Sequence, residues 1–269
     1  MSRDHFFCAL LVLAVANGIE VSVVNSVTQD WYKALINSFD FSAVVWIACF
    51  AASALLYRSS LDEVITVPDA VIGLGVLSMT IVPFAKLSWL ALTVLSLYML
   101  SVGPPRSMRR RGALIALAVT GPMLWGPALM ETFGRPILQA DAILVSSLIG
   151  TDRVGTVFSG AIGTDGVPTH FAIMPGCSSV HGISIAVLAW VTISNALESA
   201  WSARYLACGL LAVISVLAVN VSRMSLIGLF PAYYPNIHGS PGSEIAAWLS
   251  LALVVAIPLL GVRREALHT

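Results

Sequence analysis

An all-α integral membrane fold is what this 269-residue sequence predicts, and three observations predict it. Hydrophobic residues make up 58% of the chain and charged residues only 10%, where soluble domains carry about a quarter charged. Mean hydropathy is +0.89. Apolar runs near the roughly 20 residues that cross about 30 Å of hydrocarbon recur from end to end. A soluble globule is excluded. With 14 basic residues against 14 acidic ones, no net charge exists to draw in nucleic acid.

Taken in order, the apolar stretches run from Phe6 to Val24, Phe41 to Tyr57, Pro68 to Phe84, Leu87 to Val102, Ala113 to Phe133, Ser178 to Leu197, Tyr205 to Leu229 and Ile245 to Val262. Each approaches a spanning length, so the reading is of about eight transmembrane helices. The stretch ILQADAILVSSLI, Ile137 to Ile149, is too short to count and carries Gln139 and Asp141; an interfacial or re-entrant helix fits it better. Between it and the sixth span lies TDRVGTVFSGAIGTDGVPTHFAIMPGCS, longer than the 2 to 8 residues that usually join bundle helices. Its β-prone runs Val154 to Phe158 and His170 to Met174 flank a Gly163 to Gly166 turn, the pattern of a small hairpin. One transmembrane domain, 1–269, then has three regions: five spans over 1–133, the interfacial helix and hairpin over 134–176, and three spans over 177–269.

Basic residues at span ends set the orientation. The loop PPRSMRRRG, with Arg106, Arg109, Arg110 and Arg111, is placed in the cytoplasm. Eight crossings threaded through it put Arg3, Arg58, Arg204, Arg263 and Arg264 inside and Lys33, Lys86, Arg135 and Arg153 outside. Both termini come out cytoplasmic and the hairpin external, in a multi-pass protein of the plasma membrane. Counting the Ile137 stretch as a crossing would turn the Arg263-Arg264 pair outward, against that rule. The Ala14-Val15-Ala16 step has the form of a signal-peptidase site, and cleavage there would leave the later topology unchanged.

Few residues in this setting carry chemistry. The first five spans are bland, with Asn17, Glu20 and Glu131 the main polar intruders. Of four cysteines, Cys8, Cys49 and Cys208 lie in apolar runs where sulfur packs. Cys177 sits instead in MPGCSSVHGIS, where Pro175 and Gly176 break the incoming strand and Ser178 and Ser179 are placed to cap a helix. A sulfur at a helix N-terminus faces unpaired N–H groups and the positive end of the dipole, which favour a thiolate; the alternative is a cysteine that merely packs. Arg223, in LAVNVSRMSLIG, lies 18 residues past Tyr205, about 27 Å along the helix and near the outer boundary. An arginine inside a span costs about 3 kcal/mol, so it either faces a cavity with a role or snorkels to the headgroups. Asn220, one turn earlier, shares its face and is placed to orient the guanidinium or a substrate carbonyl. His238 belongs to the next external loop, FPAYYPNIHGSPGSE, and is either an incidental surface residue or a proton carrier. Its rival is His181, four residues after Cys177 on the same helix face. The arginine-derived topology delivers Cys177, Arg223 and His238 to one outer face from three segments. Nucleophile, cation and base are the parts of an acyl-transfer site.

At these residues the chain resembles the exosortase and archaeosortase family of membrane cysteine transpeptidases, over roughly Asp152 to Gly261. That family has a cysteine in a C-S-G setting after a short external β segment, an N-x-x-R pattern late in the following span, and a histidine in the next external loop. Here these correspond in order to Cys177, to Asn220 with Arg223, and to His238. The chain reads Cys-Ser-Ser, with Ser179 where glycine is usual, as in a divergent branch. The resemblance implies a protein-sorting thiol protease of the cell envelope, acting on exported proteins with a C-terminal tail made of a motif, one transmembrane helix and a few basic residues. Cys177 would form a thioester at the motif, Arg223 would stabilise the oxyanion or hold the substrate backbone, and His238 would protonate the leaving amine and activate the acceptor.

Three other readings stay open. A transporter would use Arg223 and the Asp141 to Asp152 region as an anion path, through broken helices or paired repeats. A hydrolytic intramembrane protease would use the same site with water as acceptor. A scaffold would leave the placement of Arg223 unexplained. No phosphate-cradling glycine loop and no metal-ligand spacing is present, so no cofactor is expected. Asp152, Arg153, Asp165 and His170 read as solvated hairpin residues, and Glu131, Asp141 and Glu198 as boundary residues with no assigned role.

Overall fold

The computed structural model describes residues 2–59, 63–162, 167–197 and 202–266, with side chains to Val262. The Gly163 to Gly166 turn and Glu198 lie outside the described residues, as do the side chains of Arg263 and Arg264. All eight apolar stretches are helical. Among the described residues six helices are long and apolar enough to cross a membrane, Met108–Ile149 counted as one, and two shorter apolar ones accompany them. Large apolar side chains such as Phe50, Leu74, Ile81 and Trp248 point outward, the arrangement of a chain whose solvent is lipid. This is a multi-pass helical membrane protein carrying one small β-sheet.

The backbone forms two compact units, Met1–Trp125 with Val191–Ala200, and Gly126–Trp190 with Trp201–Thr269. The first begins with α1 (Arg3–Ile36), whose Ser2 cap accepts the His5 N–H. Asp30 leaves helical geometry there and its carboxylate accepts the N–H groups of Tyr32 and Lys33, so the last turn is restarted by its own cap. There follow α2 (Ala43–Tyr57), α3 (Val67–Ile81), α4 (Ala85–Val102) and α5 (Met108–Thr120). Helix α3 opens with a Thr66-Asp69 capping box and Pro68 in its first turn.

Charges at the span ends and in the arginine-rich loop, which the sequence reads as boundary residues, form a network in this unit. Arg109 and Asp4 are fully buried and paired. The Arg109 Nη2 also meets Glu63 Oε2 at 2.7 Å, and Arg3 bridges Glu63 at 2.9 Å and Asp69 at 2.8 Å. The Tyr98 hydroxyl donates to Asp69 at 2.7 Å. This network ties the starts of α1, α3 and α5 to α4. Hydrogen bonds from Arg109 and then Arg3 hold the Glu63 carboxyl below the ordinary carboxylate range.

A π-helical segment, Gly121–Trp125, follows α5. The second unit then opens with α6 (Gly126–Ile149), which contains the Ile137 to Ile149 stretch. Pro136 lacks an N–H and its ring crowds the carbonyl four residues back; the backbone leaves helical geometry nearby at Phe133, with φ −121° and ψ 20°. The short stretch read as a separate interfacial helix is thus the distal limb of a broken one. Strands β1 (Arg153–Val154), β2 (Val157–Ile162) and β3 (Pro168–Ala172) form an antiparallel sheet in that order; the run Val154 to Phe158, expected as one strand, is split by a turn at Gly155, whose φ is +63°, and the second expected strand ends at Ala172 and not at Met174. Helices α7 (Ser179–Ala196), α8 (Ala203–Leu229), α9 (Tyr234–His238) and α10 (Ser240–Ala266) complete the chain. Within this unit Trp190 stacks on Tyr205 at 5.3 Å, and the Tyr205 hydroxyl donates to the Trp190 carbonyl at 2.6 Å. Leu138, Ala142 and Val145 of α6 make one helical face, which packs with Phe158, Ile173, Met224 and Ile227 into the core beneath the site.

Candidate functional site

Strand β3 leads through Ile173 and Met174 into a single 3₁₀ turn, Pro175–Cys177. Proline and glycine at its start stop the strand, and the Cys177 N–H closes the turn on the Met174 carbonyl at 2.8 Å. Ser178 is extended, and its hydroxyl accepts the Val180 N–H at 3.3 Å, which makes it the N-cap of α7. The Cys177 carbonyl accepts from the Asn220 carboxamide at 2.9 Å, and the same nitrogen donates to Ser179 Oγ at 3.0 Å. With its N–H and its carbonyl both engaged, Cys177 is left with the thiol as its free polar group. The residue is half-buried and packs against the core cluster of α6, β2 and α8.

The helix end differs from its sequence reading in one respect. Asp141, expected near a boundary and without a role, is buried in α6 and accepts the Ser179 N–H at 3.1 Å. That carboxylate and the Ser178 hydroxyl occupy two of the N–H groups expected to be unpaired at the start of α7. A carboxylate belongs at the positive end of a helix and fixes α7 to α6. Its signal was a single acid in an otherwise apolar helical stretch.

Arg223 emerges late in α8, as the spacing from Tyr205 requires. It is half-buried. Its Nε donates to the Ile237 carbonyl and its Nη2 to the His238 carbonyl, each at 3.2 Å. These are the last carbonyls of α9, a five-residue helix where the sequence reads as loop. A cation there satisfies acceptors that a helix end leaves over. Asn220, one turn before, is spent on the cysteine turn and not on the guanidinium. Side chains one turn apart on α8 therefore hold both the Cys177 turn and the His238 turn.

His238 is positioned by stacking, which the sequence does not display. Its ring lies on Tyr234 at 4.9 Å and 17°, Tyr234 lies on Phe171 at 5.8 Å and 14°, and Phe171 meets Phe158 at 5.8 Å. The run of four rings carries β2 and β3 through to the imidazole. Nδ1 of His238 is buried and finds no hydrogen-bond partner among the described residues. His181, the rival base, is exposed on α7.

Beside Arg223 a groove of about 900 Å³ opens between α8 and α10. Its walls are apolar, with Ala218, Leu226, Ile245, Leu249 and Leu253 among them, and Arg223 and Asn236 supply polar groups. The sheet meets α8 through two glycines. A Cβ on Gly160 would stand 2.7 Å from the Gly228 carbonyl oxygen, and one on Gly228 would stand 2.8 Å from the Phe158 ring. The bulge in β2 between Ser159 and Ile162 lies at this approach, and Thr169 Oγ1 donates to the Ala161 carbonyl there at 2.8 Å. Among the described residues no group of His, Cys, Asp and Glu is arranged to hold a metal ion. Compared with protein-family models, curated proteins and solved structures, the chain matches none.

Proposed function

We propose that the chain is an exosortase-like membrane cysteine transpeptidase, with Cys177 as nucleophile, Arg223 as oxyanion donor and His238 as proton carrier. The observation that carries the reading is the pairing on α8: Asn220 holds the carbonyl of Cys177 while Arg223 holds the carbonyls of Ile237 and His238. Two segments 61 residues apart in sequence are thereby fixed by side chains a single turn from each other. A packing cysteine and an incidental loop histidine call for no such arrangement.

In this reading eight helices cross the plasma membrane, both termini are cytoplasmic, and the sheet and Cys177 turn face outward. The substrate is an exported protein whose tail carries a short motif, an apolar helix and basic residues. The apolar groove between α8 and α10 supports such a substrate, because it offers a wall for an apolar helix with Arg223 part-way along it. The Cys177 thiolate attacks the carbonyl carbon of the scissile peptide. Arg223 N–H groups not spent on the α9 carbonyls stabilise the oxyanion as charge builds on it. As the C–N bond breaks, His238 passes a proton to the departing amine, and the helical tail leaves as a free amine. An acceptor amine, or water in a hydrolase, then loses its proton to His238, attacks the thioester carbonyl and returns the thiolate.

The transporter alternative gains one feature, the break in α6 at Phe133 and Pro136. It loses part of its anion path, because the Asp141 carboxylate is buried and bonded to the Ser179 N–H at the start of α7.

The test is co-expression with reporter proteins fused to the C-terminal tails of exported proteins from the same membrane, followed by mass spectrometry of the products. Processing by the wild type that is lost in Cys177→Ala, Arg223→Ala and His238→Ala but kept in His181→Ala is the expected result. The added mass on the product separates transfer from hydrolysis. Processing indifferent to Cys177 overturns the mechanism.

A further inference from the structure

The outer edge of β3 has backbone groups that nothing in its own sheet uses. Ile173 donates its N–H to the Thr156 carbonyl at 3.0 Å, so Ile173 and Thr156 are a hydrogen-bonded pair of the antiparallel ladder. Pairing alternates along such a ladder. Phe171 and Phe158 are then hydrogen-bonded as well, whereas Ala172 opposite Val157 and His170 opposite Ser159 are not. The neighbouring strand agrees, since Ser159 sends its N–H the other way, to Asp152 on the β1 side at 2.9 Å. His170 and Ala172 therefore direct both N–H and C=O away from β2. Both residues are exposed, and no backbone partner for either is present among the described residues.

Resting on the proposed function, we infer that this edge is the docking strand for the recognition motif of the substrate, which joins the sheet as an extended strand beside β3. Two features select that occupant. Alternate residues offering a donor and an acceptor match the spacing of an extended main chain and of little else. The strand also runs directly into the Pro175–Cys177 turn, so a motif held on β3 and running parallel to it brings its C-terminal peptide bond toward the thiol. Main-chain pairing supplies the binding, and the exposed His170 leaves the flanking side chains of the motif to set specificity.

Proline substitution separates this edge from the rest of the sheet. Because the N–H groups of His170 and Ala172 face outward, Ala172→Pro and His170→Pro remove docking donors and leave the ladder to β2 intact; proline is tolerated on edge strands in this position. Phe171→Pro removes an inward donor and breaks the hairpin. With a reporter that the wild type processes, Ala172→Pro is expected to lower processing at least tenfold, while alkylation of Cys177 by iodoacetamide keeps its wild-type rate. Ala172→Gly, which keeps the N–H, is expected to stay within a few-fold of wild type. A second measurement does not depend on the proline variants folding. In a Cys177→Ala background, His170→Cys is paired with single cysteines scanned along the reporter motif, and disulfide capture is expected at every second reporter position. Capture with a period near 3.6, or none in a reporter that the wild type cleaves, overturns the docking strand and leaves the catalytic reading standing. Self-capture of His170→Cys without reporter assigns the edge to a second copy of the chain and overturns it too. Failure of the wild type to process any reporter removes the catalytic reading, and the docking strand with it.

Discussion

Two arginine settings, one in each unit, treat charge in opposite ways. In the first, Arg3 and Arg109 are matched by Asp4, Glu63 and Asp69, and every one of these groups meets an opposite charge within 3 Å. In the second, Arg223 meets only neutral carbonyls, and no carboxylate lies within ion-pair distance of it among the described residues. A guanidinium already answered by carboxylates has little field left for a developing anion. One held by carbonyl dipoles is positioned and still keeps its charge. The difference is between an arginine answered by carboxylates and one that fastens a short helix while keeping its charge.

Truncating the two arginines is expected to give the largest effects. Arg109→Ala strands the buried Asp4 and one pair of Glu63, and is expected to cost about 3–5 kcal/mol of stability, read as loss of folded protein in detergent unfolding curves. Arg223→Ala removes two hydrogen bonds to carbonyls, expected at about 1–3 kcal/mol, and under the proposed mechanism is expected to lower reporter processing by about 100-fold or more. An equal loss of stability in the two variants would erase the distinction. Asn220→Ala comes next: the Cys177 carbonyl loses its donor, and processing is expected to fall about tenfold with a stability cost near 1 kcal/mol. The smallest effect belongs to acid. The Glu63 carboxyl is depressed by Arg109 and Arg3, so its stabilising contribution is complete above the unfolded-state pKa and is lost as pH falls through the lower folded-state value. Acidification should therefore loosen the first unit, and Glu63→Gln should blunt that response in melting curves taken across pH.

Hydropathy made the helices legible, and Pro175-Gly176 announced the turn that presents Cys177. The order Cys177, Asn220, Arg223, His238 was visible too. What they bond to was not. Asn220 shares a helix face with Arg223, which pointed to the guanidinium, but its carboxamide reaches across to the cysteine turn, a contact that depends on how α7 and α8 pack. Asp4 and Arg109 are separated by 105 positions, and at span ends each looks like an ordinary boundary charge. The run from Phe158 to His238 combines rings from two strands and a short helix, so no local pattern betrays it. Pro136 was the available signal for the break in α6, but the reading of Ile137 to Ile149 rested on its length and its polar residues and made it an independent element.

Gly160 and Gly228 have no functional group, yet the approach of β2 to α8 is set by what they lack. A methyl on Gly160 would meet the Gly228 carbonyl and press the sheet off α8, one on Gly228 would press on the Phe158 ring and the end of Ile149, and β3, the cysteine turn and the ring run are all attached to that sheet. Substitution at either position is therefore expected to disturb the seating of all three together. An alanine there would behave as a shim under an instrument: every component present, and the alignment gone.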